Sequence, residues 1–176
     1  MIFDVGDIPN DGLEFDLRKE RNYFDINQSD CFLSNDVIIH GTLRMVEWDG
    51  YFDGTVKTEL TLNCSRCLEA YKFKVNSKVS AHYVPLQSVE SEKVEHELLE
   101  GDIDLEVYQD KRINLQQAVH DQIVLSAPIM TLCSEDCKGI CPTCGVNKNT
   151  DDCQCGEEHE TDPRLAILKS IKDKLK

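Results

Sequence analysis

The sequence predicts an α+β fold in which an antiparallel sheet, open or barrel-like, carries a packed helix, a cysteine-rich zinc segment and a C-terminal amphipathic helix. Three observations predict it: long runs of alternating apolar and polar residues, one later stretch of helical periodicity, and closely spaced pairs of cysteines. We expect a sheet domain with its helix over residues 1–130, a zinc-binding segment over 131–160 and a basic amphipathic helix over 161–176.

The acidic composition narrows the class of protein. The 176 residues contain 33 Asp and Glu against 19 Lys and Arg, which gives a formal net charge of −14. Strong non-specific binding to nucleic acid needs clustered Lys and Arg, so it is expected here only on a local basic face. The sequence has no apolar run of about 18 residues and no basic-then-apolar leader, which predicts a cytoplasmic protein without a membrane segment.

Strands are predicted in order along the first half of the chain. Residues 1–35 alternate weakly and predict one or two short strands. The alternation is clear over 37–45, which leads to the turn residues Asp49 and Gly50, then over 55–62 and over 70–84. Three consecutive strands with short connections form an antiparallel meander, and the tip between the last two is NCSRCLE.

An acidic segment follows the meander. Residues 87–106 contain eight acidic residues and a single lysine, so they predict a solvated loop with too little apolar surface to order itself. The functional alternative is a loop that docks a protein partner. Residues 103–110 then predict a further strand.

Two helices are predicted in the second half. The first follows Asn114 as its N-cap, ends before Pro128 and places its apolar stripe at Leu115, Ala118, Val119, Gln122 and Ile123. The second begins at Asp162 and Pro163, a favourable cap and first helical residue. Its apolar stripe is Leu165, Leu168, Ile171 and Leu175.

Nine cysteines are the most informative feature of the sequence. Eight lie in pairs with the spacing of metal ligands: Cys64 and Cys67, Cys133 and Cys137, Cys141 and Cys144, Cys153 and Cys155. Zinc in structural sites takes four such thiolates in a tetrahedron. Gly145 can adopt the positive φ that the turn CPTCG needs after its second ligand. The pattern therefore predicts one or two structural zinc ions, with Cys31 left as a small, buried apolar side chain.

More than one pairing of the sulfurs is open at this point. In the first, Cys141, Cys144, Cys153 and Cys155 share one ion within a short loop, while Cys64 and Cys67 at the meander tip join Cys133 and Cys137. In the second, Cys133, Cys137, Cys141 and Cys144 form a site together. A single occupied site, an iron–sulfur cluster and a redox dithiol are further readings of the same residues.

The remaining chemistry of the sequence points to binding. A site of four cysteines leaves no open coordination position for catalysis, and the sequence contains no nucleophilic triad, phosphate-binding glycine loop or H-E-x-x-H motif. We therefore expect no enzymatic activity and no small-molecule substrate. A candidate RNA-binding stripe consists of Arg66 at the meander tip with Lys72, Lys74 and Lys78 on the outward face of the following strand. The simpler reading of these cations is a solvated strand face.

The order of these segments resembles the YceD family. The resemblance rests on LTLNCSRCLEAY, the acidic stretch, INLQQAVHDQIVLSAPIMTLCSEDCKGICPTCG and DPRLAILKSI, over roughly residues 35–175. Cys64, Cys67, Cys133 and Cys137 match by position, and the other four paired cysteines match a cysteine-rich subset of members.

This resemblance implies a function. Family members are named for large ribosomal RNA subunit accumulation, which implies a non-enzymatic cytoplasmic factor that supports synthesis, processing or stability of that RNA. The implied partner is the large-subunit ribosomal RNA or a large-subunit ribosomal protein. A redox-responsive zinc switch and an interaction module that docks through the acidic loop are the alternatives.

Overall fold

The computed structural model describes residues 1–87 and 105–155, and these residues are mostly β-sheet. The described part contains nine strands and one α-helix: β1 (Ile2–Asp4), β2 (Leu13–Lys19), β3 (Asn27–Gln28), β4 (Cys31–Leu33), β5 (Val37–Val46), β6 (Asp49–Asn63), β7 (Ala70–Pro85), β8 (Leu105–Tyr108), β9 (Arg112–Asn114) and α1 (Gln116–Leu125). None of the helices in these ranges has both the length and the apolar character needed to cross a bilayer.

The long strands β5, β6 and β7 form the predicted meander, and the alternation of buried and exposed residues along them is confirmed. β2 pairs with β5, while β4 continues alongside the far end of β6 and pairs with β3. Within the described residues β2 pairs only with β5 and β8 only with β7, so the sheet is open and the barrel-like alternative is wrong.

Two details of the predicted sheet need correction. β8 runs parallel to β7, because the chain between them is long enough for the crossover that a parallel pair requires. The turn between β5 and β6 is formed by Glu47 and Trp48, with Glu47 at a φ of 57°, while Asp49 and Gly50 already belong to β6. Gly50 serves packing there, since a Cβ would lie 2.6 Å from Cδ1 of Ile113.

The inner face of the sheet forms the hydrophobic core under α1. Leu115, Val119 and Ile123 are fully buried and belong to one apolar cluster with residues of β6 and β7, as the predicted stripe requires. The predicted N-cap is one residue too early: the N-cap of α1 is Leu115, which has no side chain that can cap, and Asn114 lies before it. The side chain of Asn114 accepts a hydrogen bond from the amide of Gln116 at 3.1 Å.

The N-terminal region contains more strand than expected, since β1 to β4 all lie within residues 1–35. Cys31 in β4 packs against the core but is only half-buried, so its predicted burial is too strong. The predicted C-terminal helix over 161–176 lies outside the described residues, as does nearly all of the acidic segment 87–106.

Candidate metal centres

The tip of the β6–β7 hairpin is a tight turn that carries two of the candidate metal ligands, Cys64 and Cys67. The residue after Cys67 is Leu68, whose amide donates a hydrogen bond to the Cys64 carbonyl at 2.9 Å and whose φ is 63°. The turn at Cys141 has the same construction, because the amide of Gly145 donates to the Cys141 carbonyl at 2.8 Å with a φ of 75°. The positive φ predicted for Gly145 is confirmed, and the hairpin tip adopts the same backbone without a glycine.

The first cluster joins this tip to the chain that follows α1. The sulfurs of Cys64, Cys67, Cys133 and Cys137 all lie within 4.8 Å of one another. The Cys64 and Cys137 sulfurs are 3.7 Å apart, and those of Cys67 and Cys133 are 3.6 Å apart. In a tetrahedral site with Zn–S bonds of about 2.3 Å, the ligand sulfurs stand about 3.8 Å apart. The donor set and its spacing therefore suit a divalent metal ion.

Backbone contacts hold the two halves of the first cluster together. The amide and hydroxyl of Ser65 both donate to the Thr131 carbonyl, at 2.8 and 3.0 Å. Nη1 of Arg66 donates to the Cys137 carbonyl at 3.1 Å, and the carbonyl of Arg66 accepts the amide of Ile140 at 3.0 Å. Gly139, at a φ of 72°, leaves room for this approach, since a Cβ would lie 3.0 Å from the Arg66 oxygen.

The second cluster lies within one short segment. The sulfurs of Cys141, Cys144, Cys153 and Cys155 also lie within 4.8 Å of one another, with Cys141 and Cys153 at 3.3 Å. Three of the first cluster's thiol residues are buried, whereas in the second only Cys141 is buried. The structure thus groups the eight thiols in the first of the two pairings considered above, and the alternative grouping is not among the clusters of the described residues.

Local hydrogen bonds favour a thiolate in each cluster. Burial raises the pKa of Cys64, but backbone N–H groups of Cys67, Cys133 and Arg66 outweigh it and lower the pKa to about 6. Backbone N–H groups of Cys144 and Thr143 lower the pKa of Cys141 to about 6. Amides aimed at sulfur stabilise the thiolate, which is the form of cysteine that can bind a metal ion.

Neighbouring sulfurs raise the pKa of other thiols in the clusters. The pKa of Cys155 is raised to about 12, chiefly by the side chains of Cys144 and Cys153. Four thiolates at this spacing repel one another, and a divalent cation removes that repulsion.

One residue of the first site was missed by the sequence reasoning. Nδ2 of Asn149 donates a hydrogen bond to the sulfur of Cys137 at 3.3 Å, which is the largest influence lowering the pKa of that thiol. Its Oδ1 accepts the amide of Lys138 at 2.8 Å. Asn149 lies between the cysteines of the second cluster, so it ties the two clusters together. An asparagine in a polar loop carries no sequence signal for this role.

The four cations of the candidate RNA-binding stripe do not all face solvent in the same way. Lys72, Lys74 and Lys78 are exposed on the outward face of β7. Nζ of Lys72 pairs with Oε1 of Glu59 at 3.0 Å. Arg66 donates to the backbone of the first cluster, so its guanidinium helps to hold that cluster.

Both cysteine clusters and much of the sheet lie in a part of the chain that matches a known protein family. The family model described as large ribosomal RNA subunit accumulation protein YceD matches residues 52–172, a range that includes all eight clustered thiols. The chain belongs to the YceD family. No solved structure matches it.

Relatives of this YceD-family chain come from bacteria and plants. An uncharacterized protein of Mycobacterium tuberculosis is 32% identical over 116 residues, which cover 65% of this chain and 52% of the relative. The chain thus spans about half the length of that relative. An uncharacterized protein of Bacillus subtilis is 26% identical and covers 97% of this chain and 94% of its own length. A protein of Arabidopsis thaliana named large ribosomal RNA subunit accumulation protein YCED homolog 1, chloroplastic, is 26% identical over 70% of this chain and 44% of its own length.

Proposed function

We propose that this protein supports the accumulation of large-subunit ribosomal RNA by binding that RNA or a large-subunit ribosomal protein, without catalysing a reaction. The observation that carries the proposal is membership of the YceD family, whose plant members are named for this function. We place its action in the cytoplasm, because metal sites made of thiolates need reduced cysteines and that compartment keeps thiols reduced.

Zinc is the metal we propose for both clusters, and its role is structural. Four thiolates complete the tetrahedron that Zn²⁺ prefers, and each filled site adds a net charge of about −2. The first ion links residues 66 positions apart, Cys67 and Cys133, and so joins the sheet tip to the segment after α1. A rigid tip beside the exposed lysines of β7 is then the part of the molecule best suited to present a binding surface.

Depletion of the protein in its host tests the proposed function. The ratio of large-subunit to small-subunit ribosomal RNA is expected to fall, and expression of the wild-type chain is expected to restore it. An unchanged ratio would overturn the proposal. Crosslinking in the same cells identifies the bound molecule, and elemental analysis of the purified chain is expected to return two zinc ions. Iron in place of zinc would contradict the assignment of the metal.

A redox-responsive zinc switch is the second candidate function. The observation that favours it is the exposure of Cys133, Cys144 and Cys155, since exposed thiolates are open to oxidants. Mild peroxide is then expected to release zinc and form disulfides at concentrations that leave Cys31 reduced. Retention of zinc throughout such a titration would exclude this function.

A further inference from the structure

The outward face of the sheet has opposite charge at its two ends. Arg18 of β2, Ile38 of β5 and Lys57 of β6 lie side by side in one row across the strands. Four residues along the strands, the parallel row contains Glu14 and Asp53 instead, and Asp53 pairs there with Arg44 at 3.1 Å. At about 3.3 Å per residue the two rows are about 13 Å apart. Because β6 continues past Lys57 toward Cys64, the basic end is the one nearer the first cluster.

An open groove of about 690 Å³ lies at the basic end. Its cations come from three strands and the turn after β2: Arg18 of β2, Arg21 of that turn, Lys57 of β6 and Lys74 of β7. Its two carboxylates already have partners, because Asp36 pairs with Arg18 at 2.9 Å and Glu59 with Lys72 at 3.0 Å. Among the described residues, no carboxylate lies within 4 Å of the Lys57 or Lys74 ammonium group. The groove therefore has an excess of positive charge in a protein whose net charge is −14.

We propose that this groove binds the phosphates of an RNA strand. The inference rests on the proposed function and selects RNA, instead of a ribosomal protein, as the molecule bound there. Phosphate binding requires cations on one local face, and the groove supplies four of them, of which Arg18 is paired with Asp36. A protein that itself binds ribosomal RNA carries clustered cations, which this groove would repel. The proposed RNA contact therefore crosses β2, β6 and β7, whereas the candidate stripe of lysines runs along β7 alone.

Charge-neutralised variants of the full-length, metal-loaded protein test the groove. The groove variant combines Arg18→Gln, Lys57→Gln and Lys74→Gln, whose side chains are exposed and make no core contacts. The matched control combines Lys111→Gln, Arg112→Gln and Lys148→Gln, which are also exposed but line no part of the groove. Both variants remove three positive charges. Circular dichroism and zinc content verify that each is folded.

Fluorescence anisotropy with a labelled single-stranded RNA oligonucleotide of mixed sequence gives the affinity as salt is varied. Loss of three phosphate contacts makes the slope of log K against log salt shallower by about 2. If the variant and the wild type bind equally at about 1 M salt, the variant then binds about 100-fold more weakly at about 0.1 M salt. The control variant is expected to bind like the wild type. Equal binding by the groove variant and the wild type, or preference of the wild type for a polyglutamate peptide over the RNA, would overturn the inference.

The cellular assay separates failure of the groove from failure of the proposed function. If depletion lowers the large-subunit RNA and the groove variant restores it fully, the groove inference is wrong and the function stands. If depletion has no effect while the groove variant still loses RNA binding, the function is wrong and the groove stands.

Discussion

Loss of a ligand from the first cluster is expected to destabilise the whole fold more than loss of a ligand from the second. The matched substitutions are Cys133→Ser and Cys144→Ser, because both side chains are exposed and neither belongs to the apolar core. Each removes one thiolate from one site without creating a buried cavity.

The magnitude follows from where each ion can bind. The first site exists only when the sheet tip meets the segment after α1, so its binding free energy adds to the free energy of unfolding. The standard binding free energy of structural zinc is about 10–16 kcal/mol. At a micromolar concentration of free zinc about 8 kcal/mol of this is offset, so the bound ion stabilises the fold by about 2–8 kcal/mol. The Cys141 and Cys153 ligands are only 12 positions apart, against 66 for Cys67 and Cys133. Closing the shorter loop in the unfolded chain is easier by about 1.5 kcal/mol, so the second ion stays bound about tenfold better after unfolding.

Urea unfolding followed by far-ultraviolet circular dichroism, at fixed free zinc, measures the difference. Cys133→Ser is expected to lower the free energy of unfolding by at least about 2 kcal/mol, and Cys144→Ser by clearly less. Zinc content, measured on the same samples, must show one ion lost in each variant. The reasoning fails if Cys144→Ser is the more damaging change, or if Cys133→Ser loses its ion and unfolds at the wild-type midpoint.

Three further predictions concern stability. Leu68→Gly is expected to stabilise the protein by about 0.5–1 kcal/mol in urea unfolding, since relief of the positive φ exceeds the entropy lost by glycine and Leu68 is 65% exposed; a lower midpoint would contradict this. Gly41→Ala is expected to destabilise by about 1–3 kcal/mol in thermal unfolding, because its Cβ would lie 2.6 Å from a ring carbon of Phe52 and 2.8 Å from the Asp53 carbonyl oxygen; an unchanged midpoint would contradict this. For the metal-free protein, the lowered pKa values of Cys64 and Cys141 stabilise the fold above pH 9, and this stabilisation is lost as pH falls toward about 6. Urea midpoints across that range test it, and an increase on acidification would refute it.

Local sequence patterns were sufficient to predict the long strands β5, β6 and β7, the apolar stripe of the helix and the paired thiols, while two groupings of those pairs stayed open. Alternation identifies which side of β6 is buried because successive side chains point to opposite faces. The C-x-x-C spacing identifies the turns at Cys64 and Cys141 because both ligands of each pair lie within a single turn. These features depend on residues close together in the chain.

Features that depend on which residues lie opposite each other on adjacent strands were not predicted. Arg18 and Lys57 lie in one row only because of the register of β2, β5 and β6, and no local pattern specifies that register. The direction of β8 depends on a crossover between distant residues. Gly50 was predicted as a turn residue, yet it is required by the side chain of Ile113, which packs against it from a distant part of the chain.

The groove is proposed to bind RNA although the net charge of the protein is strongly negative. Salt makes this possible because it screens the distant acidic residues more than the cations that contact the RNA. At 0.15 M salt the Debye length is about 8 Å, so the acidic row about 13 Å away is largely screened and the groove's own cations dominate. At 0.01 M salt the Debye length is about 30 Å, and the charge of −14, made about −18 by two filled zinc sites, then repels RNA as a whole. A plot of log affinity against log salt is therefore expected to level off or reverse at low salt, whereas a protein with a uniformly basic surface gives a straight line. Anisotropy titrations from 0.01 to 0.5 M salt test this, and a straight line over the full range would show that the distant acidic residues have no influence on the groove.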